Sequence, residues 1–353
     1  MSCYHPLTGI DFGINPITGK RNIRILSKEL KEMPKEYGKY SKVAIPCGQC
    51  IGCRLDYTRQ WANRCMLELK DHDYDKCWFL TLTYNDEHLP PKYIDTETGE
   101  LSEINSLSKD DLQKFMKRLR KNIYDRAVQN GLITAGSELP AELKCRYYAC
   151  GEYGPLNMRP HYHMILYNVD LPDVQILRAD KNNGYVYYNS EFIQRAWTDP
   201  KDRQPIGFIS LTKVTMETCN YVARYILKKQ KGYNSTVYED KIFKPEFTLM
   251  SRRPGIGKDY YEKNKEKIYL TDSISISTPK SGYTFKPPRY FDKLFDLDEP
   301  ERMQQIKDYR KELSKLSIEN KLDQTSVGYS DMLLSEETDK LARTKVLRRK
   351  EVF

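Results

Sequence analysis

Histidine is scarce in this sequence, with five in 353 residues. Apolar runs are short as well: none approaches the roughly 18 residues of a membrane span. The opening MSCYHPLTGI lacks the apolar core of a secretory signal, so a soluble cytoplasmic chain with no membrane partner is expected. No GxxxxGK[ST] loop occurs, which argues against an attached nucleotide-hydrolysing helicase domain, and there is no internal repeat. Nine cysteines, an odd count, argue against a complete disulfide framework and for reduced thiols in a reducing compartment.

What is present points to a globular protein with a polyanionic partner. The chain is long enough to bury a full core, and 30% charged residues stand beside 39% hydrophobic ones. A net charge of +9 attracts polyanions without specifying a fold. The 27 tyrosines outnumber the 11 phenylalanines and 3 tryptophans together. Aromatics interleaved with Lys and Arg suit a single-stranded nucleic acid, whose bases stack while cations hold its phosphates. Half-buried packing is the plainer use of the same tyrosines.

Along the chain, residues 1–40 show little periodicity and read as an irregular arm. LDYTRQWANRCMLEL (55–69) has helical spacing, and CWFLTLTY (77–84) is rich in β-formers and bounded by Asn85 and Asp86. SKDDLQKFMKRLRK (108–121) opens with Ser108 and Asp111 in capping-box spacing and repeats Leu112, Phe115, Met116 and Leu119 on one face. Its other face carries Lys114, Lys117, Arg118, Arg120 and Lys121, available to solvent or to phosphates. CRYYACGE (145–152) and HYHMILYN (161–168) read as an antiparallel hairpin, followed by a strand at 207–214 and a helix at 216–230. Past residue 262 the pattern degrades to a Ser/Thr/Pro/Lys stretch, a mixed-charge helix over 300–322 and a polar tail ending RTKVLRRK (343–350).

Two of the five histidines stand together in RPHYHMILY (159–167). Residues two apart in a strand share a side, so His161 and His163 present both imidazoles from one face, where they can hold one divalent ion. The hairpin brings Glu152 opposite His161 as a third, anionic ligand. Two nitrogens and a carboxylate leave positions open for water and substrate, which suits a catalytic ion. The structural alternative is a pair of strand histidines satisfied by hydrogen bonds.

In NYVARYILKK (220–229), at about 100° per residue, Met216, Cys219, Ala223, Ile226 and Leu227 fall on one side of the helix. Tyr221, Arg224, Tyr225 and Lys228 fall on the opposite side. Two phenols at i and i+4 with a nearby ammonium make a compact site. A phenol, with a pKa of about 10, needs adjacent cations to become a nucleophile, and an attacked phosphodiester needs its charge neutralised. Lys228 and the proposed ion serve both needs. A solvated amphipathic face is the alternative.

Taken together these residues resemble the HUH endonucleases, and more closely the rolling-circle replication initiators of small isometric single-stranded DNA phages, the gokushovirus branch of the microviruses. The match runs through PCGQCIGCR (46–54), FLTLTY (79–84), GEYG with RPHYH (151–163) and YVARYILKK (221–229), spanning about residues 41–261. It implies an α+β fold: a central antiparallel sheet flanked by helices, with a ferredoxin/RRM-like core, the histidines on a middle strand and the tyrosine helix over the metal face. The implied domains are an N-terminal arm (1–40), a catalytic domain (41–261) and a partly helical C-terminal extension with a basic tail (262–353). His161 and His163 match the metal pair. Glu152 sits where related initiators often supply the third ligand, with Asp86 or Glu87 as fallbacks. Tyr221 and Tyr225 match the paired nucleophiles and Lys228 the lysine of the tyrosine motif. The implied reaction is nicking and rejoining of single-stranded or supercoiled origin DNA through a 5′-phosphotyrosine, with Mg²⁺ or Mn²⁺. It takes place in the bacterial host cytoplasm, with host helicase and polymerase as partners. The competing readings are a non-catalytic single-strand nucleic-acid binder and an HUH plasmid initiator or transposase.

One motif stands apart. Cys47, Cys50 and Cys53 form CxxCxxC, and Cys65 follows twelve residues on. These four thiolates offer a set for zinc or another thiophilic metal, and the alternative is a helix entry whose small thiols pack inside.

Overall fold

The fold is taken from a computed structural model, which describes residues 3–14, 21–26, 40–94, 98–154, 157–181, 184–228, 244–277 and 282–346. In chain order the elements are β1 (Leu7–Ile14), β2 (Arg21–Ile25), β3 (Ser41–Ile45), α1 (Ile51–Leu69), β4 (Trp78–Thr83), β5 (Lys92–Ile94), β6 (Leu101–Asn105) and α2 (Lys109–Gln129). Next come β7 (Arg146–Tyr153), β8 (Pro160–Tyr167), β9 (Gln175–Ala179), β10 (Val186–Asn189), α3 (Glu191–Ala196), β11 (Ile209–Lys213), α4 (Met216–Lys228) and β12 (Phe247–Met250). The chain continues through α5 (Lys258–Thr271), β13 (Ile274–Ser277), β14 (Gly282–Phe285), α6 (Arg289–Asp298), α7 (Pro300–Leu322) and α8 (Tyr329–Val346).

The chain divides into two compact units, Met1–Tyr57 with Glu301–Phe353, and Thr58–Pro300. In the first, β2, β1 and β3 form an antiparallel sheet in that order, and Ile10, Met303, Met332 and Leu333 are buried. Residues 1–40, expected to be irregular, thus contain two strands. LTGIDFGI mixes glycine into an otherwise β-forming run, which hides its periodicity from the sequence. The functional partition into 1–40, 41–261 and 262–353 is a separate matter and rests on the resemblance.

The second unit is α+β. Its seven-stranded sheet runs β12-β7-β8-β4-β11-β10-β9 with every neighbouring pair antiparallel, so the expected antiparallel sheet with the histidine strand inside it is what forms. β8 reads almost continuously apolar because both faces of the sheet are covered. On one face lies α2, with Leu112, Phe115, Met116 and Leu119 packed against Leu80, Leu82, Tyr162, Met164 and Leu166. Ser108 caps this helix, its Oγ accepting the Asp111 N–H at 3.1 Å as the capping-box spacing predicts. Several of its basic residues are engaged within the protein: Lys114 pairs with Asp110 at 2.7 Å, Lys121 with Asp125 at 2.7 Å, and Arg118 Nε donates to the Ala196 carbonyl at 2.7 Å. Helix α4 packs on β7, β8 and β12 from the other face, burying Cys219, Val222 and Ala223.

The mixed-charge helix over 300–322 is α7, but the sequence reading missed α5, the β13–β14 hairpin, α6 and α8. Helix α5 buries Tyr261, Ile268 and Tyr269 beneath a lysine-rich surface, and tyrosine is too ambivalent a residue to mark an apolar stripe by itself. The basic end of the tail, residues 347–350, lies outside the described residues.

Candidate active site

Strand register builds the site. In the β7–β8 ladder Glu152 stands opposite His161 and Cys150 opposite His163; in the β4–β8 ladder Thr81 stands opposite His163 and Thr83 opposite His161. Directly opposed residues share a face, so one patch of sheet gathers Glu152, His161, His163 and Thr81. Tyr162, between the histidines, points the other way. Its hydroxyl donates to the Ser108 carbonyl at 2.7 Å and lies 2.6 Å from the Tyr84 hydroxyl. Gly151 allows the strands to close here, since a Cβ at that position would lie 2.9 Å from the Phe247 ring.

The ligand atoms converge. Glu152 Oε1 lies 2.6 Å from His161 Nε2 and 2.9 Å from His163 Nε2, and one atom from each residue falls within 4.8 Å of the others. The far ring nitrogens are held by the protein. His161 Nδ1 lies 3.1 Å from the Arg159 carbonyl, which only accepts, so this nitrogen carries the proton and Nε2 of the neutral ring is the free ligand. His163 Nδ1 is 3.0 Å from Thr81 Oγ1. Glu152 is buried, as is His163, while His161 is half-buried. Burial alone would raise the Glu152 carboxyl, but hydrogen bonds from His161 and His163 outweigh it and bring it down to about 2. A lone pair of a neutral imidazole aimed at a buried carboxylate is repulsive unless positive charge sits between them. The donor set therefore fits a divalent cation.

Tyr221 enters from α4. Its hydroxyl lies 3.4 Å from His163 Nε2, and its ring stands edge-on to His163 with centroids 4.9 Å apart. Phe79 stacks on His163 at 5.5 Å and meets Tyr221 edge-on at 6.0 Å, wedging both rings. The helical wheel places Tyr221 and Arg224 together away from the apolar stripe. In the fold they part: Arg224 is exposed, while Tyr221 is half-buried and turned to the sheet. The side chains of Tyr225 and Lys228, the other two expected catalytic residues, lie outside the described residues.

Among the fallbacks for the third ligand, Asp86 is engaged elsewhere, its Oδ1 accepting from Arg159 Nη1 at 2.6 Å, and neither it nor Glu87 joins the cluster. The sequence reading did not assign roles to Thr81, Phe79 or the Arg159 carbonyl. The alternation Phe-Leu-Thr-Leu-Thr carried a signal for Thr81, since it puts two hydroxyls on the face opposite the leucines.

The same residues lie within a stretch shared with known phage proteins. The replication-associated protein ORF2 of Spiroplasma virus 4 is 34% identical over 296 residues, 83% of this chain and 81% of its own. The chain belongs to the replication-associated protein family of microviruses. The family model for replication-associated protein ORF2 matches residues 77–230, which include β4, the histidine hairpin and the tyrosine helix. The replication-associated protein VP4 of Bdellovibrio phage phiMH2K is 30% identical over 272 residues, 77% of this chain and 73% of its own. The replication-associated protein ORF4 of Chlamydia phage 1 is 24% identical over 257 residues, 70% of this chain and 52% of its own. No solved structure matches. Family membership was legible in the motif set, and a role in phage DNA replication follows from it. Among the described residues of this replication-associated protein, no helix is long and apolar enough to cross a membrane.

Proposed function

We propose that this replication-associated protein is a metal-dependent endonuclease and strand transferase that nicks and rejoins origin DNA to drive rolling-circle replication. The observation that supports it best is the convergence of His161 Nε2, His163 Nε2 and Glu152 Oε1 beside the Tyr221 hydroxyl. A non-catalytic DNA-binding sheet has no use for a buried carboxylate held between two imidazoles.

His161, His163 and Glu152 would hold the divalent cation. A bound Mg²⁺ or Mn²⁺ supplies neutralisation of the phosphate charge and polarisation of the phosphorus–oxygen bond. The chain's own residues do the rest. Arg159 and Thr81 fix the imidazole orientations, Phe79 fixes the ring planes, and Tyr221 offers its oxygen to the scissile phosphate. That oxygen bonds to phosphorus as the bond from phosphorus to the 3′ oxygen breaks. The phenolic proton is lost, the 3′ oxygen takes one up, and the products are a 5′-phosphotyrosine and a free 3′-OH for the host polymerase. One P–O bond is exchanged for another, so the link stores what the closing step needs.

Tyr225, one turn along α4, acts as the second nucleophile when the origin is regenerated, and the free 3′-OH then resolves the first link by closing a circle. Lys228 stabilises the phenolate. These two roles rest on sequence spacing. The DNA substrate is single-stranded or supercoiled, the partners are host helicase and polymerase, and the setting is the bacterial cytoplasm.

The test is covalent adduct formation on single-stranded phage origin DNA with Mg²⁺ or Mn²⁺, read on a denaturing gel. Wild type is expected to form the adduct, and chelation or the double change Tyr221→Phe/Tyr225→Phe to abolish it. A wild type without adduct, or a double variant that retains it, contradicts the mechanism.

A further inference from the structure

The cysteine motif has a fourth member that the sequence spacing did not indicate. Cys65 is fully buried on α1 within the Thr58–Pro300 unit and is not part of the group. In its place Cys3 joins Cys47, Cys50 and Cys53, with the four sulfurs within 4.8 Å of one another and Cys3 Sγ 4.0 Å from Cys50 Sγ. All four belong to the Met1–Tyr57 part of the first unit, and all are free thiols. A tetrahedron of thiolates around zinc, at Zn–S distances of about 2.3 Å, has S···S edges of about 3.8 Å. The observed spacing is that of ligands, well outside disulfide bonding.

Backbone N–H groups point at these sulfurs. Cys47 Sγ accepts from Gln49 N at 3.4 Å and from Cys50 N at 3.3 Å, in a turn that Gly48 permits with φ of +75°. Cys50 Sγ accepts from Tyr4 N at 3.4 Å and Cys53 N at 3.5 Å, and Cys3 Sγ accepts from Cys47 N at 3.2 Å. A neutral thiol is a weak acceptor, and such donors favour the anionic form that metals bind.

The molecule contains its own controls. Cys77 and Cys145 act as thiol donors, to the Asp73 and Arg146 carbonyls, and burial pushes them up to about 11 and about 12. Burial likewise raises Cys50, yet there the N–H groups of Cys53 and Tyr4 and the neighbouring thiols outweigh it and bring it down to about 7.

We infer that Cys3, Cys47, Cys50 and Cys53 form a structural zinc site that ties the N-terminal residues to the start of α1. Four protein ligands close the coordination shell, so the site holds structure and leaves no position for substrate. Binding of Zn²⁺ displaces the four thiol protons to solvent. The site is independent of the nicking chemistry, and neither proposal falls with the other.

The experiment is metal analysis of the full-length chain purified under reducing, chelator-free conditions, followed by exchange with Co²⁺. One zinc per chain is expected. The cobalt form is expected to show the intense visible bands and sulfur-to-metal charge transfer of tetrahedral thiolate coordination. Cys3→Ser is expected to weaken zinc binding by about tenfold or more, whereas Cys65→Ala retains it. A wild-type chain that carries no zinc and gives only the weak spectrum of octahedral Co²⁺ overturns the proposal. Disulfides among these four residues in freshly prepared chain, or zinc lost with Cys65 and kept without Cys3, overturn it as well.

Discussion

The two faces of β8 carry different kinds of order. On the α2 face, Tyr162, Met164 and Leu166 join a continuous apolar core, and the buried hydroxyls of Tyr84 and Tyr162 are satisfied by Asp111 and Ser108. On the α4 face, one residue away in either direction, His161 and His163 converge on a buried carboxylate beside a tyrosine. The first face contributes free energy of folding. The second spends some of it, because a carboxylate and two imidazoles removed from water must be held by well-placed partners. The strand's period of two lets one short segment do both, and a single-residue slip in register would exchange them.

Changes that affect one face and spare the other sharpen this contrast. The largest effect is expected from His163→Ala, which removes a ligand and Tyr221's neighbour. Nicking should fall by about 10³-fold or more, equivalent to about 4 kcal/mol of barrier, while the denaturant midpoint stays near that of wild type. On the opposite face Phe115→Ala should cost about 3–5 kcal/mol of stability, measured by urea unfolding, with the nicking rate per folded molecule unchanged. If both variants lose activity and stability together, the two faces are not separable.

Intermediate in size is Thr81→Val, which keeps the shape of a strand residue and deletes the hydroxyl beside His163 Nδ1. Outer partners of this kind are worth about 10–100-fold in metal affinity or rate, and a titration with Mn²⁺ should show the loss without unfolding.

The smallest effect concerns pH. Glu68 on α1 is buried and accepts from Arg146 Nε, from Gly257 N at 2.6 Å and from His72 Nε2 at 3.4 Å. Burial alone would raise it, but the hydrogen bonds from His72 and Arg146 and the Arg146 charge hold it below the usual carboxylate range. A depressed folded-state pKa contributes stability that is present above the unfolded value, about 4.3, and is lost as pH falls through the lowered value. The slope of unfolding free energy between about pH 5 and about pH 3 should therefore be shallower in Glu68→Gln than in wild type.

Much of the site was legible because it depends on local periods. HYH at strand spacing, Glu152 across a short hairpin and Tyr221 on a helix of 3.6 residues per turn all follow from counting along the chain. The capped helix α2 and strand β4 were legible for the same reason. What escaped reading depends on distance in sequence. Thr81 reaches His163 only through a pairing eighty-two residues apart, and Cys3 reaches Cys50 across forty-seven. Cys65 was the nearer candidate along the chain, but helix α1 carries it into a buried position with its carbonyl accepting the Tyr167 hydroxyl at 3.1 Å. Helices α5 and α8 were missed because their buried residues are few and separated by charge.

The central claim is tested most directly by locating the DNA on the protein. After reaction with origin DNA and Mn²⁺, nuclease trimming and tryptic digestion, cleavage after Lys213, Arg224 and Lys228 separates the two tyrosines into peptides 214–224 and 225–228. The account predicts nucleotide mass attached through phosphotyrosine to one or both of these peptides and to no other. Attachment elsewhere in the chain, or nicked DNA with no linked peptide, would contradict it.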